Sequence, residues 1–501
     1  MMRVVHLPAP SFERETFRRP QTVLADLKLK VVTPMFGGGA TPRKVDPVQP
    51  IRASAIRGQL RFWWRACNAG RFESLEALRR EEARLWGSAR KESEPASGPG
   101  VISIAVQTTS NGTEMTDQDG PKYVLWPFAE QHPQNAPAIP AATGRVNVQF
   151  TLRLTMSNPS GKLGGSNTSN AWPTEREAAI AARQALWAWI TFGGVGSRTR
   201  RGCGTLFCQD CVSDMGIRLE ALRPDPTHPD RWMKQQYAKR VIQAFPPRPE
   251  FSGLAGARLL ISRGGATPTS AWSNAIDPLF DFVQGEGIAR NNGKWKPHPR
   301  FPERIVKTPG QSFWPEVSAV RGILGWPQPV GTPLPPDDHS NLYTRNSTSS
   351  KDMNQFPRAE LGLPRVIRVA TEAWQPSGTI EGAVKEHTRM ASAVILKAFV
   401  LSDGRAISLA LCLSAPHVWD TKNSPGIQLR KNRHTALPLQ PDELNSKTSG
   451  STWPGASLRN PQDPITKLPP FVATPIDGQL PVSARDAFMN YVKSRGWTVV
   501  R

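Results

Sequence analysis

The chain has 501 residues, and its 63 Lys and Arg against 41 Asp and Glu give a formal net charge of +22 at pH 7. No stretch approaches the ~18 consecutive apolar residues that a membrane span needs, so we expect no membrane insertion. The N-terminal residues contain no apolar segment followed by a cleavage site, which predicts a cytoplasmic protein. The positive charge predicts a polyanionic partner.

The numbers of Cys, Pro, Gly, Trp and Tyr indicate the compartment, the loop content and the kind of partner of this protein. Five cysteines are too few for a disulfide framework in a chain of this length, and they fit a reducing compartment. The 48 Pro and 40 Gly predict long irregular loops. The chain has 16 Trp but only 4 Tyr. Indole rings stack on nucleobases, so this composition suits a nucleic-acid partner, although we expect most of the tryptophans to fill cores.

The first half predicts strands and helices in the order β-α-β-β-α-β, with loops inserted. Alternating apolar and polar residues indicate half-buried strands, and the predicted strands are 26–32, 101–107, 146–154 and 205–211. The predicted helices are 53–68, 74–87 and 174–191. Thr174 and Glu177 form the capping box that opens the last helix. This order is that of a ferredoxin-like, or RRM-like, α+β unit.

The second half of the chain also predicts strands and helices of an α+β fold, but its sequence marks them less clearly. Its predicted strands are 257–262, 365–370, 392–400 and 407–413, and its predicted helices are 315–325 and 483–496. Two segments rich in Pro, Gly, Ser and Asn, around 327–352 and 438–470, predict exposed loops. The residues alone do not define a topology for this half.

The helix at 53–68 predicts a basic face beside a buried stripe. At 3.6 residues per turn, the buried stripe contains Ile56, Leu60, Trp63 and Cys67. The neighbouring face contains Arg57, Arg61, Trp64 and Arg65. Arginines at four-residue spacing repel one another unless an anion compensates them, and together with an indole they suit a phosphate backbone with an unstacked base. The alternative is a solvated face paired with Glu73, Glu81 or Glu82 of the following helix.

Two glycine-rich segments are the other candidate binding sites. The first contains Gly37, Gly38 and Gly39, followed by Arg43 and Lys44. The second, residues 193–204, contains Gly194, Gly196, Ser197, Arg198, Arg200 and Arg201. Glycine lets the backbone approach a ligand closely, and backbone amides beside arginine favour an anion. The alternative for the second segment is a basic surface turn. No Gly-Lys-Ser/Thr follows it, so nucleotide hydrolysis is not expected.

Several of these segments together resemble a known family. They are TPMFGGGA (33–40), IRASAIRGQLRFWWRA (51–66), LWGS (85–88) and FGGVGSRTRRGCG (192–204). This set resembles the RAMP superfamily of CRISPR systems, and in particular the Cmr1-like first subunit of the type III-B Cmr effector complex. The resemblance extends from about residue 23 to residue 207, with weaker similarity at 361–365 and 388–399.

The resemblance implies tandem ferredoxin-like domains with long loop insertions, at residues 1–210 and 211–501. It implies a non-catalytic, RNA-binding subunit of a ribonucleoprotein in antiviral defence, without cofactor or metal. The expected partners are the guide (CRISPR) RNA near its 3′ end, single-stranded target RNA, and other subunits of the Cmr complex. By position, the family's glycine-rich loop matches residues 193–204, and its basic helix matches Arg57, Arg61, Trp64 and Arg65.

Two other functions remain open at this point. A metal-independent endoribonuclease that processes CRISPR RNA could use His387 as general acid or base on the same fold. The basic faces could instead contact acidic protein neighbours. A zinc site is not expected, because Cys203, Cys208 and Cys211 have no second pair of ligands at a suitable spacing.

Overall fold

The computed structural model describes residues 21–89, 98–132, 137–157, 173–242, 244, 252–284, 295–297, 305–307, 357–363, 365–368, 377–382, 389–417, 427–430, 436–439 and 483–501. The predicted helix at 315–325 and His387 lie outside these residues.

The strands are β1 (Gln21–Val31), β2 (Met35–Phe36), β3 (Ile102–Ser110), β4 (Thr113–Met115), β5 (Gly144–Val146), β6 (Gln149–Ser157), β7 (Leu206–Val212), β8 (Gly253–Ile261), β9 (Trp295–Pro297), β10 (Ile305–Lys307), β11 (Arg365–Arg368), β12 (Ser377–Gly382), β13 (Val394–Val400), β14 (Ala406–Ser414), β15 (Ile427–Arg430), β16 (Ala436–Leu439) and β17 (Thr498–Val499). The helices are α1 (Ala53–Asn68), α2 (Leu75–Trp86), α3 (Lys122–Leu125), α4 (Glu175–Phe192), α5 (Pro229–Arg240), α6 (Pro268–Gln284) and α7 (Ala484–Ser494).

The first sheet has the strand order β3-β6-β1-β7, and all its pairs are antiparallel. Helices α1 and α2 connect its first strand to its second, and α4 connects its third to its fourth. The alternation in β1 has the predicted effect, because Leu27 and Leu29 are buried while Lys28 is exposed. The predicted order of elements in the first half is therefore confirmed.

The second sheet repeats this connectivity. Its order is β13-β14-β8-β17, again antiparallel throughout. Helix α6 follows its first strand and α7 precedes its fourth, so each sheet has its strands in the spatial order second, third, first, fourth. Helices α5 and α6 were not predicted, and α6 contains Pro278 in its interior, which disfavours a helix from sequence.

Two helices of the first half lie between the two sheets. One buried core contains residues of α1 and α4 together with Leu259, Ile395 and Leu409 of the second sheet. A second core on the opposite face of that sheet contains Leu260 and Leu396, packed with α6 and α7. The layers are therefore sheet, helices, sheet, helices. Strands β13 and β14 are almost continuously buried because both faces of their sheet are covered.

A small three-stranded sheet, β2-β5-β4, forms beside the first sheet. We call this sheet, with α3 and the short 3₁₀ turn Trp126–Phe128, the side module. The ring of Phe128 stacks on that of Phe36 at a centroid distance of 4.2 Å, which joins the turn to β2. The residues between the predicted strands 101–107 and 146–154, which the predicted order leaves as an inserted loop, are therefore partly folded. None of the helices in the described part of the chain is long and apolar enough to cross a membrane.

Candidate nucleic-acid interface

The two glycine-rich segments lie against each other, and we call residues 37–44 the first glycine loop and residues 193–204 the second glycine loop. The amide and the hydroxyl of Ser197 both donate to the carbonyl oxygen of Phe36, at 2.8 and 3.0 Å. A Cβ on Gly37 would lie 3.4 Å from the Ser197 hydroxyl oxygen. These contacts bring together two loops that are about 160 residues apart in sequence.

Glycine is required where the loops meet. Gly196 has a φ of +79°, and a Cβ there would lie 2.6 Å from the carbonyl oxygen of Phe36. A side chain at this position would combine backbone strain with a clash against backbone atoms. The hydrogen bonds of Ser197 therefore depend on the absence of a side chain at the preceding residue.

Four backbone amides of the two loops have no acceptor within the described part of the chain. The amides of Gly37, Gly38, Gly196 and Arg198 donate no hydrogen bond to any described residue. Lys44 and Arg198 are exposed residues, although burial of its guanidinium lowers the pKa of Arg198, and neither has an ion pair within the described part of the chain. Unpaired amides beside two cations favour an anionic oxygen such as that of a phosphate.

The inner side of the second glycine loop packs on the second sheet. The guanidinium of Arg200 donates to the carbonyl of Ser392, and that of Arg201 donates to the carbonyl of Val394 at 2.6 Å. Trp272 of α6 donates its indole N–H to the carbonyl of Arg201, at 2.6 Å. Burial lowers the pKa of Arg200 to about 10. This corrects the expectation of a loop whose arginines are all available to a ligand, because these two guanidinium groups face protein carbonyls.

Arg43 of the first glycine loop also has partners within the protein. Its guanidinium donates to four carbonyl oxygens of the side module, those of Pro127, Phe128, Ala129 and Pro140, at 2.6 to 3.0 Å. The expectation that Arg43 offers a free charge is corrected in the same way. It connects the first glycine loop to the side module.

The arginines of α1 have the alternative arrangement that the sequence left open. Arg61 and Arg65 both donate to one carboxylate oxygen of Glu82, whose side chain is 4% exposed. Arg57 donates to the carbonyl of Trp86 at 2.7 Å. Their common partners lie on α2, so these side chains fix α1 against α2. Contact of these arginines with RNA stays a prediction.

Trp64 is placed differently from its prediction. It is 1% exposed, and its ring packs against that of Phe72 at a centroid distance of 6.2 Å. Stacking with a nucleobase requires an exposed ring face. The prediction that Trp64 stacks on a base is wrong, because α1 lies between two sheets and is covered on more than one side.

The cysteines near the second glycine loop are mostly buried. Cys203 and Cys208 are at most 1% exposed, and burial raises the pKa of each thiol to about 12. Cys211 is half-buried, and burial raises its pKa to about 11. The described residues contain no group of three or more His, Cys, Asp or Glu that could hold a metal ion.

The structure adds residues that the sequence reasoning missed. Trp126 is 60% exposed in the side module, and Lys122 precedes it by one helical turn. Lys397 is 1% exposed and contacts the start of the second glycine loop. The available signals were a Trp beside a Pro, and a Lys inside an apolar strand. Without the fold, neither signal shows whether the residue binds a ligand or only packs within the protein.

Comparison with known proteins agrees with the motif-based resemblance. Residues 28–206 match the family model described as the RAMP superfamily. The resemblance to the RAMP superfamily is confirmed over this part of the chain, which contains both glycine loops. The chain is also 26% identical over 186 residues to the CRISPR system Cmr subunit Cmr1-2 of Pyrococcus furiosus, a match that covers 36% of this chain and 92% of that protein.

The solved structures similar to this chain cover more of it, at lower sequence identity. The crystal structure of Cmr1 from Pyrococcus furiosus in its apo form has a TM-score of 0.41 at 12% identity, covering 78% of this chain and 87% of that chain. The cryo-EM structure of the Type III-B Cmr-beta bound to cognate target RNA has a TM-score of 0.39 at 11% identity, covering 78% and 94%.

Proposed function

We propose that this protein is a non-catalytic RNA-binding subunit of a type III-B CRISPR ribonucleoprotein effector. In this role it contacts RNA near the 3′ end of the guide and helps to capture target RNA in antiviral defence. One observation carries the proposal: the segment that matches the RAMP superfamily contains two joined glycine loops with four unpaired amides and two exposed basic residues, Lys44 and Arg198, that have no ion pair within the described residues.

The proposed partners follow from the names of the similar proteins. Cmr1-2 is named as a subunit of a Cmr system, and Type III-B Cmr-beta is described as bound to cognate target RNA. By analogy we assign this chain the other subunits of a Cmr complex as protein partners, and guide RNA or single-stranded target RNA as its ligand. We further propose that it folds as two ferredoxin-like domains, at residues 1–210 and 211–501, since both sheets share one strand order.

The proposed contact is electrostatic and uses the backbone. The amides of Gly37, Gly38, Gly196 and Arg198 would donate to phosphate oxygens, while Lys44 and Arg198 would neutralise their charge. The partly buried hydrogen bonds of Arg43, Arg200 and Arg201 hold the loops against the side module and the second sheet. The arginines of α1 keep that helix in place beneath the first sheet.

The salt dependence of RNA binding tests this assignment. For single-stranded nucleic acid, each neutralised phosphate contributes about −0.7 to the slope of log K against log salt concentration. The double variant Lys44→Ala/Arg198→Ala should therefore flatten the slope by about 1.4. The matched control is Arg79→Ala/Lys239→Ala, which removes two exposed cations from α2 and α5 and should keep the wild-type slope. Equal slopes for the two double variants would overturn the proposed site.

A second measurement tests the place of the protein in a complex. Purification of the protein from its native host should yield RNAs that share a repeat-derived tag, together with other Cmr subunits. Incubation of the isolated protein with repeat RNA in EDTA should leave that RNA intact. Cleavage there would favour the endoribonuclease alternative, and co-purification of no tagged RNA would contradict the proposed function.

A further inference from the structure

Trp126 is unusual among the tryptophans whose burial the structure describes. It is 60% exposed, whereas the buried tryptophans are at most 8% exposed; these are Trp63, Trp64, Trp86, Trp187, Trp189, Trp232 and Trp272. A large aromatic ring left in water loses the free energy that burial would supply. A solvent-facing indole on a fixed backbone is therefore a candidate for contact with a ligand.

The backbone around Trp126 is fixed by several contacts. Pro127 and Phe128 follow it in a 3₁₀ turn, and Arg43 donates to the carbonyls of both, at 3.0 and 2.8 Å. The ring of Phe128 stacks nearly parallel on Phe36, with an interplanar angle of 10°. The backbone position of Trp126 is thus set by an arginine with four carbonyl partners and by an aromatic stack. A fixed backbone lowers the conformational entropy that the residue loses on binding.

The same contacts connect Trp126 to the glycine loops. Phe36, which carries the stack, is also the residue whose carbonyl accepts both hydrogen bonds of Ser197. Arg43, which fixes the turn, belongs to the first glycine loop. The turn that carries Trp126 and the two glycine loops are therefore joined through Phe36 and Arg43.

A cation lies on the same side of the turn as the indole. The amide of Trp126 donates to the carbonyl of Lys122, as in a helical turn, so these two residues share a face. Both residues are exposed. The nearby acidic residue Glu130 has His132 as its partner, at 3.8 Å. A positive charge beside an exposed ring favours a ligand that combines an anion with a flat aromatic group.

We propose that Trp126, with Lys122 beside it, is a base-stacking site for the single-stranded RNA whose phosphates bind at the glycine loops. This inference rests on the proposed function and extends it from the phosphate backbone to an unpaired base. The site has little sequence preference, since every base presents a flat face to an indole. It takes the role that the sequence assigned to Trp64.

The test compares variants of the full chain against two probes. One probe is a single-stranded oligouridine, and the other is an abasic oligomer of the same length. Trp126→Ala should weaken oligouridine binding by about five-fold or more, the lower end of what one stacked base contributes, while Trp126→Phe should retain most of the affinity. The salt slope of Trp126→Ala should equal that of wild type, because stacking neutralises no phosphate. With the abasic probe, wild type and Trp126→Ala should bind equally.

The matched control is Val212→Ala. It removes part of another side chain that is 62% exposed, and it should leave RNA binding unchanged. If Trp126→Ala binds oligouridine as tightly as wild type, the stacking site is overturned. If that variant also loses a protein neighbour from purified complexes, Trp126 is assigned to a protein contact. If Lys44→Ala/Arg198→Ala still flattens the slope, the proposed function survives this failure. If neither set of variants changes RNA binding, both proposals fail.

Discussion

The ammonium nitrogen of Lys397 lies 2.6 Å from the carbonyl oxygen of Gly193. It also lies 3.4 Å from the carbonyl of Ile190, so it caps the C-terminal end of α4, where the helix dipole favours a cation. Lys397 is 1% exposed, and burial lowers its pKa to about 7. One side chain of the second sheet thus fixes the end of α4 and the first residue of the second glycine loop.

The stability of the protein should depend on pH through Lys397. Its ordinary pKa is 10.5, and its pKa in the folded protein is about 7. Between these values the unfolded chain binds a proton that the folded chain does not, so the free energy of unfolding increases as the pH rises from about 7 toward 10. The increase has an upper limit of about 1.4 kcal/mol per pH unit.

Urea unfolding between pH 6.5 and 9.5 measures this effect. The difference in unfolding free energy between wild type and Lys397→Met should change in favour of wild type as the pH rises, because Met does not titrate. The exposed Lys239→Met variant is the control, and its difference from wild type should not change with pH over this range. A constant difference for Lys397→Met would show that the buried amine keeps an ordinary pKa.

Glu82 should be more important for stability than its neighbour Glu81. Glu82 accepts from both Arg61 and Arg65 at a buried position, so Glu82→Gln leaves two arginines without their counter-charge. We expect a loss of about 1 to 3 kcal/mol in unfolding free energy, below the value for fully buried pairs because the arginines are partly exposed. Glu81→Gln removes a pair with Arg84 on one helix and should cost less than about 0.5 kcal/mol. Similar losses for both variants in chemical denaturation would contradict this assignment.

The N-terminus of α4 gives a third prediction. The Thr174 hydroxyl accepts from the amide of Glu177, and the Glu177 carboxylate accepts from the amide of Thr174 at 2.7 Å. Thr174→Ala should lower the unfolding free energy by about 1 kcal/mol, and Thr174→Ser should restore most of it. The backbone hydrogen bond lowers the pKa of Glu177, so the contribution of this carboxylate should be lost as the pH falls below its ordinary value of 4.5. A Thr174→Ala variant as stable as wild type would show that the box contributes nothing.

The sequence predicted most of what depends on local periodicity. Helix α1 has the predicted bounds, α4 starts at its predicted cap, and β1 alternates as expected. The signals for these elements lie within about one helix length of sequence. Helix α6 was missed because its interior proline disfavours a helix locally, although the packing of Trp272 and Phe282 in the second core stabilises it.

The candidate site depended on contacts that no local pattern contains. A helical projection sorts Trp64 and Arg61 by direction, but it does not show how many sides of α1 are covered. The second sheet covers α1 with residues such as Leu259, almost two hundred positions later in the chain. In the same way, the partners of Arg43 are carbonyls between the predicted strands 101–107 and 146–154, where the sequence predicted no element. The exposure of Trp126 can be recognised only from the folded structure of that segment.

The junction of the two glycine loops should be sensitive to a single methyl group. Gly196 and Gly216 both have a positive φ, +79° and +70°, so alanine strains the backbone similarly at each. At Gly216 no atom lies within 4 Å of the added Cβ, whereas at Gly196 it would meet the carbonyl oxygen of Phe36. Gly196→Ala should therefore separate Ser197 from Phe36 and weaken RNA binding several-fold, while Gly216→Ala should lower stability by about 1 kcal/mol and keep the wild-type RNA affinity. Thermal unfolding and RNA titration of the two variants separate these effects. Equal RNA affinity for both would show that the loop junction is not part of the binding surface.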